Sequence, residues 1–482
     1  MRKVLIGGEL VDTGQYREVI NPSTGEAFES VSYIKDRDLV RKAIDLAFDS
    51  FDALSKLTLR ERAKILLKAS EIIESKREEI ARLLALEAGK PIKDSRVEVL
   101  RAISLFRIAA EEARFVLEGK VHRVDAYDYP PGNENRIVME VREPLGVVAA
   151  ILPFNFPANS FAHKVAPNII AGNTVIVKPS TYTPLSALEM ASVLYQAGLP
   201  KGSLSVLVGD SSLIGDELIS SKKIGGITFT GSTRVGLALA SKAVSHSKRI
   251  MMEMGGSDPI IVFEDSEIER AIKIAVRARF EYSGQNCNAG KRIIVQDSIY
   301  KLFIDKYVEE VSKLKVGDAL DENIDLGPVI SQEAINTMEE VVKDASEKAK
   351  VVFGGFRLKS KGFHFSPTVI AEANTEIKAM REEVFGPVVP IAKFSNIKEA
   401  IDLTNSTDYG LQSAIFTKDL NKALKVSREL KFGAVIINDS TRLRWDSLPF
   451  GGVKMSGVGN REGVRSTIMA MTEPKIVSIT LT

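Results

Sequence analysis

The chain has a single cysteine, Cys287, in a setting that suits a nucleophile. It occurs in FEYSGQNCNAGKR, after a helical pattern and before an apolar strand pattern, so a glycine-containing turn presents the thiol. A free cysteine is often a small buried hydrophobic residue, but the polar neighbours Gln285, Asn286 and Asn288 argue against burial here. A nucleophilic thiol also needs a base or a cation to activate it, and this segment supplies no histidine.

Two further side chains could assist such a nucleophile. Glu253, in KRIMMEMGGSDP, ends an apolar strand pattern directly before Gly255–Gly256. Glycines there permit close approach, so Glu253 could act as a general base, with a solvated surface charge as the alternative. Asn155, in AAILPFNFPANS, lies between Pro153 and Pro157. Because prolines stiffen the loop, its amide could donate to a developing oxyanion; a turn-forming asparagine is the alternative.

The elements that must position these residues follow an α/β pattern. Amphipathic helical spacing runs from 36 to 118, and the polar segment 119–142 predicts a hairpin with a long turn. Short apolar strands then alternate with helices over 146–252, and the pattern restarts at 260 and continues to about 439. This alternation predicts two lobes, each built on a parallel sheet covered on both faces. Such sheets bind nucleotides at the carboxyl ends of their strands.

Composition narrows the class of function. The 65 Lys and Arg residues nearly balance the 63 Asp and Glu residues along the chain, so no basic stripe indicates nucleic acid. Four scattered histidines and one cysteine offer no metal-ligand spacing. No segment approaches the roughly 20 apolar residues that span a bilayer, and the N-terminus has no signal-peptide pattern. We therefore expect small-molecule chemistry in the cytoplasm, without a metal. Few glutamines and many charged residues suggest a thermostable protein.

The motifs PFNFP, MEMGG and GQNC together resemble the NAD(P)-dependent aldehyde dehydrogenase superfamily, whose catalytic Asn, Glu and Cys occur in this order. The resemblance continues through TVIVKPSTYTPLSAL, ITFTGSTRVG, LGPVIS, REEVFGPVVP and LPFGGVKMSGVGNREG, and so covers nearly the whole chain. It implies that Cys287 attacks the aldehyde carbon while the Asn155 amide and the Cys287 N–H hold the oxyanion. After hydride transfer to nicotinamide, Glu253 activates the water that hydrolyses the thioester. Members that transfer the acyl group to coenzyme A lack this Glu, so the resemblance favours a free acid.

The same resemblance implies a Rossmann-like cofactor lobe. FTGSTRVG puts Gly231 and Ser232 at a strand-to-helix turn, where helix N-terminal amides attract a pyrophosphate. Lys178 is implied to reach the adenine ribose and Glu383 the nicotinamide ribose. The predicted cofactor-binding residues are Phe154, Lys178, Ser180, Thr181, Gly209, Gly231, Ser232, Val235, Glu383 and Phe385.

One position informs the choice between NADP and NAD. NAD-preferring relatives often carry a glutamate three residues after the lysine, where its carboxylate holds the ribose hydroxyls and repels a 2′-phosphate. Here that residue is the neutral Thr181, three residues after Lys178. The repulsion is absent and a hydroxyl donor is present. We therefore predict that NADP is favoured and that NAD is also possible.

The segment INDSTRLRWDSLPFGG is expected to line the mouth of the substrate tunnel. Arg442, Arg444 and Trp445 could face either substrate or solvent, and arginines would suit a polar or anionic aldehyde. Phe156 and Asn288 complete the predicted substrate set. The C-terminal motifs most resemble archaeal-type lactaldehyde, glyceraldehyde and non-phosphorylating glyceraldehyde-3-phosphate dehydrogenases, which implies small 2-hydroxyaldehydes as substrates. A succinate-semialdehyde or broad aliphatic aldehyde dehydrogenase is the alternative.

The same residues are also compatible with two other classes of protein. A cysteine hydrolase could use Cys287 without nicotinamide, but the sequence offers no convincing histidine partner. A catalytically silent relative that serves as a binding protein should have lost Cys287 or Glu253, and both are present.

We predict three structural parts. An NAD(P)-binding domain comprises 1–119 and 145–254, a catalytic domain comprises 255–450, and a β-hairpin oligomerisation element comprises 120–144 with 465–482. The tail EPKIVSITLT alternates apolar and polar residues and would leave an open strand edge unless another subunit pairs with it. A homo-oligomer, either a dimer or a tetramer, is therefore expected.

Overall fold

A computed structural model describes residues 1–481. Its strands are β1 Val4–Ile6, β2 Glu9–Val11, β3 Tyr16–Asn21, β4 Glu26–Ser32, β5 Lys120–His122, β6 Arg136–Pro144, β7 Val147–Ile151, β8 Thr174–Lys178, β9 Leu204–Val206, β10 Ile224–Thr230, β11 Arg249–Glu253, β12 Asp258–Val262, β13 Gly290–Gln296, β14 Lys350–Phe353, β15 Thr368–Ala371, β16 Val388–Phe394, β17 Gln412–Phe416, β18 Ala434–Ile437, β19 Gly457–Gly459 and β20 Thr472–Thr480. Its α-helices are α1 Arg37–Asp49, α2 Phe51–Ser55, α3 Leu59–Ser75, α4 Arg77–Ala88, α5 Ile92–Val116, α6 Pro157–Ala171, α7 Leu185–Gln196, α8 Ser211–Ser220, α9 Thr233–Ser245, α10 Ile268–Phe280, α11 Asp297–Ser312, α12 Gln332–Lys348, α13 Lys378–Arg381, α14 Ile397–Asn405, α15 Leu420–Glu429 and α16 Val464–Ala470.

The first lobe is built on an eight-stranded sheet with the order β19-β11-β10-β7-β8-β9-β1-β2. The five strands from β11 to β9 are parallel, as the sequence predicts, and β7 and β8 are buried along their whole length. Burial on both faces explains their continuous apolar runs. Antiparallel strands extend the sheet at both ends, with β1 and β2 at one end and β19 at the other.

The second lobe is built on a seven-stranded sheet with the order β14-β15-β16-β13-β12-β17-β18. All neighbouring strands in it are parallel except β14 and β15. The prediction of two α/β lobes with parallel sheets is thus confirmed. No helix within residues 1–481 is long and apolar enough to cross a membrane.

The predicted hairpin is present as β5 and β6, and β20 from the C-terminus joins it to form a three-stranded antiparallel sheet. The predicted boundary at residue 465 falls inside α16, whose Val464 and Ile468 belong to the apolar core of the first lobe. β19 also returns to the sheet of that lobe. The chain therefore re-enters the first lobe before β20 leaves it, which the C-terminal sequence pattern did not indicate.

Candidate active site

Side chains from both lobes line one cavity of about 620 Å³, a size that suits a cofactor and a small substrate. Asn155, Glu253 and Cys287 all line this cavity. Asn155 follows β7, Glu253 ends β11, and Cys287 lies between α10 and β13. The fold therefore brings together the three residues for which the sequence predicted chemistry.

The Asn155 side chain is held across the two lobes. Its Nδ2 donates to the backbone carbonyl of Gln285 at 3.0 Å, and the residue is only 5% exposed. An amide nitrogen carries two hydrogens, so one remains for a ligand. The arrangement can supply a fixed hydrogen-bond donor beside the Cys287 turn.

The turn that carries Cys287 has an unusual backbone. Tyr282 and Ser283 have left-handed φ angles of 50° and 53°, and Gly284 follows with φ 71°. A Cβ on Gly284 would lie 2.5 Å from the carbonyl oxygen of Gly386. Non-glycine residues in this conformation cost about 1–3 kcal/mol each and occur mainly where the surrounding structure enforces them. The strain is concentrated directly before the cysteine.

Cys287 itself is partly exposed, whereas its polar neighbours Gln285, Asn286 and Asn288 are buried. The Oε1 atom of Gln285 accepts from the backbone N–H of Ile330 at 2.8 Å. Asn288 donates to Gln412 Oε1 at 2.7 Å and to the Thr441 carbonyl at 3.1 Å. Their amides serve as internal hydrogen-bond partners that fix the turn.

Burial raises the pKa of the Cys287 thiol well above its ordinary value, and the neighbouring Glu253 raises it further. Lys291 opposes this effect. The ammonium of Lys291 is buried and donates to the Cys287 carbonyl at 2.6 Å, to the Gly256 carbonyl at 2.7 Å and to Glu383 Oε1 at 2.6 Å. The thiol is therefore neutral at rest, and a base must remove its proton before it can attack.

Glu253 is a candidate for that base. Its carboxyl is 3% exposed, and Oε1 has no hydrogen-bond partner among residues 1–481. Burial and then the nearby Glu462 raise the pKa of Glu253 to about 8, whereas Arg444 and Lys164 lower it. A carboxyl with a pKa close to neutral pH is well suited to accept and release a proton.

The opposite part of the cavity has the features of a dinucleotide site. Gly231 and Ser232 stand between β10 and the N-terminus of α9, whose free amides suit a pyrophosphate. Lys178 ends β8, and burial lowers its pKa to about 8. The Glu383 carboxylate is fixed through Oε1 by Lys291. These groups fit a nicotinamide dinucleotide. The predicted cofactor residues that line the cavity are Phe154, Lys178, Ser180, Thr181, Gly231, Ser232, Val235, Glu383 and Phe385.

Comparison with known proteins decides the family, because the model of the aldehyde dehydrogenase family matches residues 11–477. The chain belongs to the aldehyde dehydrogenase family. It is 40% identical over 477 residues to a 3-sulfolactaldehyde dehydrogenase of Priestia megaterium, covering 99% of this chain and 97% of that relative. It is 40% identical over 467 residues to a lactaldehyde dehydrogenase of Methanocaldococcus jannaschii, covering 96% of this chain and 97% of that relative.

The solved structure of glyceraldehyde-3-phosphate dehydrogenase GapN from M. jannaschii, complexed with NADP, is 38% identical with a TM-score of 0.90, covering 96% of this chain and 98% of that chain. The chain is thus an NAD(P)-dependent aldehyde dehydrogenase.

Most of the predicted substrate residues also line the cavity of this aldehyde dehydrogenase, namely Phe156, Asn288, Arg442 and Arg444. Trp445 does not; its side chain is 56% exposed to solvent. Gly209 also lies outside the cavity lining. A Cβ there would stand 2.4 Å from the carbonyl oxygen of Ile34, so this glycine allows the N-terminal segment to pack closely.

Several cavity residues were missed by sequence reasoning. Asn159 and His163 on α6 follow Asn155 at successive intervals of four residues, a helical spacing that could have indicated them. Arg101 on α5 and Glu462 come from distant segments, and no local pattern marks them. Within residues 1–481 there is no group of three or more His, Cys, Asp or Glu side chains arranged to hold a metal ion.

Proposed function

We propose that the enzyme oxidises a small 2-hydroxyaldehyde to the free carboxylic acid, with NADP preferred over NAD, through a thioester on Cys287. The observation that carries this proposal is the convergence of Cys287, Glu253 and Asn155 on one cavity, with the dinucleotide-binding features at its other part.

The residues act in a definite order. A base, for which Glu253 is the candidate, takes the proton of Cys287, and Sγ forms a bond to the aldehyde carbon. The second amide hydrogen of Asn155 and the Cys287 N–H stabilise the new oxyanion. The residues of the dinucleotide part of the cavity, Lys178 and Glu383 among them, would hold NAD(P), which would supply the acceptor for the hydride that leaves this carbon. The acyl group then remains on Sγ as a thioester.

Release of the acid requires water. Glu253 first releases the thiol proton to solvent. It then takes a proton from water as the oxygen attacks the thioester carbon and the C–S bond breaks, and this proton returns to Sγ to restore the thiol. The unpartnered Oε1 of Glu253 is available to accept that proton. This carboxyl supports a hydrolytic reaction with a free acid as product.

The preference for NADP is supported by position 181. Thr181 lines the cavity beside Lys178, and a neutral hydroxyl does not repel a 2′-phosphate. A structural relative at 38% identity binds NADP.

A 2-hydroxyl group on the substrate is supported by Asn159. Its Oδ1 is buried and has no hydrogen-bond partner among residues 1–481, and the residue lines the cavity one helical turn from Asn155. A buried acceptor without a donor costs about 1–3 kcal/mol, and a substrate O–H can supply the donor. The two curated relatives named above are dehydrogenases of 3-sulfolactaldehyde and lactaldehyde, and both substrates are 2-hydroxyaldehydes.

A paired assay tests this function. Lactaldehyde and propanal differ only by the 2-hydroxyl group, and we expect kcat/KM to be about tenfold or more higher for lactaldehyde, as one good hydrogen bond allows. Asn159→Ala should remove this preference and leave propanal nearly unchanged. Equal kcat/KM values for the two aldehydes would instead favour a broad aliphatic aldehyde dehydrogenase.

The same assay with two variants tests the chemistry. Cys287→Ala should abolish cofactor reduction. Glu253→Gln should slow turnover by roughly a hundredfold, the scale of losing a general base, and intact-protein mass spectrometry should then show an acyl adduct on Cys287. If Glu253 also deprotonates the thiol, the first-turnover burst will be slow as well. Parent turnover in Glu253→Gln, or cofactor reduction by Cys287→Ala, would refute the mechanism.

A further inference from the structure

Arg442 is a cavity residue whose hydrogen bonds are incomplete. Its side chain is 14% exposed, and Nη2 donates to Glu281 Oε1 at 2.7 Å. Nε and Nη1 are buried and have no acceptor among residues 1–481. A guanidinium stays charged at any physiological pH, and its buried N–H groups are costly without acceptors. A ligand that supplies acceptor oxygens would remove this cost.

The position of Arg442 relative to the nucleophile is fixed by its neighbours. Asn288, directly after Cys287, donates to the carbonyl of Thr441, directly before Arg442. The guanidinium carbon lies 5.5 Å from the ring centroid of Phe156, which follows Asn155. None of these contacts involves the cofactor residues. Arg442 therefore lies beside the nucleophile on the side that the body of the substrate must occupy.

Glu281 holds this guanidinium without facing the substrate space. It does not line the cavity, whereas Arg442 does. A carboxylate on one side of an arginine fixes its orientation and leaves the remaining N–H groups to bind planar or tetrahedral oxyanions in pairs. Arg442 is therefore already oriented to bind an anion before a substrate enters the cavity.

The other two arginines of this region also have acidic partners, and of their buried nitrogens only Nε of Arg444 lacks an acceptor among residues 1–481. Arg444 donates to Glu462 at 2.9 Å and lies 3.2 Å from His163 Nδ1, and Arg101 pairs with Asp446 at 2.7 Å. The charges of Arg444 and Arg101 are largely offset by those of Glu462 and Asp446. Further from the cavity, Lys90 forms a buried pair with Glu98, which contributes no net charge.

Besides Glu281, Asp94 is close enough to Arg442 for their charges to interact, and Glu253 lines the same cavity as Arg442. Burial raises the pKa of Asp94 to about 6 and that of Glu253 to about 8. Glu253 therefore carries little negative charge at neutral pH and offers little opposition to an anion in the cavity.

We infer that Arg442 binds an acidic group, a carboxylate, sulfonate or phosphate, at the end of the substrate remote from the aldehyde. The physiological substrate is accordingly an anionic aldehyde. This inference rests on the proposed aldehyde oxidation at Cys287, but not on the 2-hydroxyl group.

Three matched pairs of aldehydes test it and separate the possible acidic groups. Glyceraldehyde 3-phosphate and glyceraldehyde differ by a phosphate, 3-sulfolactaldehyde and lactaldehyde by a sulfonate, and succinate semialdehyde and butanal by a carboxylate in place of a methyl group. We expect kcat/KM to favour the acidic member of at least one pair by about 10- to 100-fold, the scale of hydrogen bonds to charged groups. The pair with the largest ratio identifies the acidic group.

Two variants with opposite expected effects separate substrate binding from a structural role. Arg442→Met should remove the acid preference, because it should lower kcat/KM for the acidic member much more than for the neutral member. Glu281→Gln removes the negative charge beside Arg442, so it should preserve or increase the preference. If Arg442 and Glu281 were only a structural ion pair, both variants would impair both members alike. Arg465→Ala, which removes an exposed arginine paired with Glu112 outside the cavity, serves as the control.

The results that would overturn this inference differ from those that would refute the proposed function. A parent enzyme that prefers the neutral member of all three pairs would overturn the inference, as would equal losses on both members in Arg442→Met. If Arg442→Met does not fold, the kcat/KM ratios of the parent enzyme and of Glu281→Gln still test the inference. A lower acid preference in Glu281→Gln than in the parent contradicts the assignment. Preference for lactaldehyde over propanal concerns the 2-hydroxyl group alone. Loss of all aldehyde oxidation in the parent would refute the proposed function itself.

Discussion

Burial gives Glu253 the strength of base that thioester hydrolysis needs, and it makes that step depend on pH. Only the ionised carboxylate can take a proton from water, and the pKa of Glu253 is raised to about 8. The active fraction of the base therefore increases as pH rises through this value. We expect the rate of thioester hydrolysis, followed as decay of the acyl adduct, to rise with pH and to level off above about 8.

Glu462→Gln provides a directional control for this profile. Glu462 raises the pKa of Glu253, whereas Lys164 and Arg444 lower it and remain in the variant. The inflection should therefore move to lower pH. A profile that is flat near pH 8, or that Glu462→Gln leaves unmoved, would contradict the assignment of the titrating group.

Cofactor preference is also a property of one residue. Thr181→Glu would place a carboxylate where the 2′-phosphate of NADP is proposed to lie, and repulsion between them should shift the kcat/KM ratio toward NAD by about tenfold or more. Lys178→Ala should weaken both cofactors, because the adenine ribose is common to them. Measurement of kcat/KM with NADP and NAD for the parent and both variants checks this. A parent enzyme that prefers NAD would overturn the proposal.

The residues that the sequence could assign share one property: each stands in a short local motif. Cys287, Glu253 and Asn155 are recognisable because glycine or proline beside them has a local conformational meaning. Lys291 contacts Glu383 and Glu462 contacts Lys164, both far away in the chain, so their roles arise only when these distant segments are folded together. The burial of the amides around Cys287 was not predictable for the same reason, since a local pattern cannot show which distant group will accept a hydrogen bond.

At the scale of elements, the start of α6 is held by another helix. The first N–H groups of a helix lack partners within it, and α6 has no capping side chain of its own at Phe156. Glu98 from α5 accepts from the N–H of Ala158 at 3.0 Å and of Asn159 at 3.1 Å, and it also pairs with the buried Lys90. One carboxylate thus fixes the helix that begins two residues after Asn155.

This cap predicts a large loss of stability on substitution. Glu98→Ala would leave Lys90 buried without a partner and the α6 amides unsatisfied, so the free energy of unfolding should fall by about 3–5 kcal/mol. Denaturant unfolding measures the loss. The exposed pair of Asp52 and Lys56 is the matched control, because Asp52→Ala should cost about 1 kcal/mol or less. A Glu98→Ala variant as stable as Asp52→Ala would show that this cap is unimportant.

The alternation of strands and helices was predictable at this scale, because parallel strands buried on both faces leave unbroken apolar runs such as VVAAI in β7. The order of the strands and the antiparallel strands at the ends of the first sheet could not be predicted from the sequence. β1 and β19 are three residues each and come from opposite ends of the chain. Neither strand is long enough to show the alternation of apolar and polar residues that marks a strand. Their pairing with the sheet depends on the path of the whole folded chain.

At the scale of the whole molecule, the active site depends on the two lobes being held together. The Asn155 amide donates to the Gln285 carbonyl, and the Tyr282 hydroxyl donates to the Ala88 carbonyl. Such bonds place the nucleophile from the second lobe against the oxyanion donor and the base from the first. Contacts between the lobes therefore help to offset the energetic cost of the strained turn. Neither lobe alone contains the full set of reacting groups.

The most exposed part of the fold is the sheet of β5, β6 and β20. β20 is a terminal strand of that sheet and pairs with β6 along its length, and eight of its nine residues are exposed. The exposed residues include Ile476, Ile479 and, just beyond the strand, Leu481, which are 59%, 44% and 55% exposed. A long, apolar and uncovered strand edge is a template for pairing with another chain. We propose that a second copy of this chain covers it, in a dimer or a tetramer.

Size-exclusion chromatography with light scattering tests this assembly. The parent should elute at two or four times the monomer mass at roughly micromolar concentration. The double variant Ile479→Lys and Leu481→Lys should shift it toward monomer, because charges on an open strand edge prevent pairing. Leu420→Lys changes a leucine that is 63% exposed on the second lobe and should leave the mass unaltered. A monomeric parent would refute the assembly, and an oligomer that persists in the double variant would show that β20 is not the surface on which the copies meet.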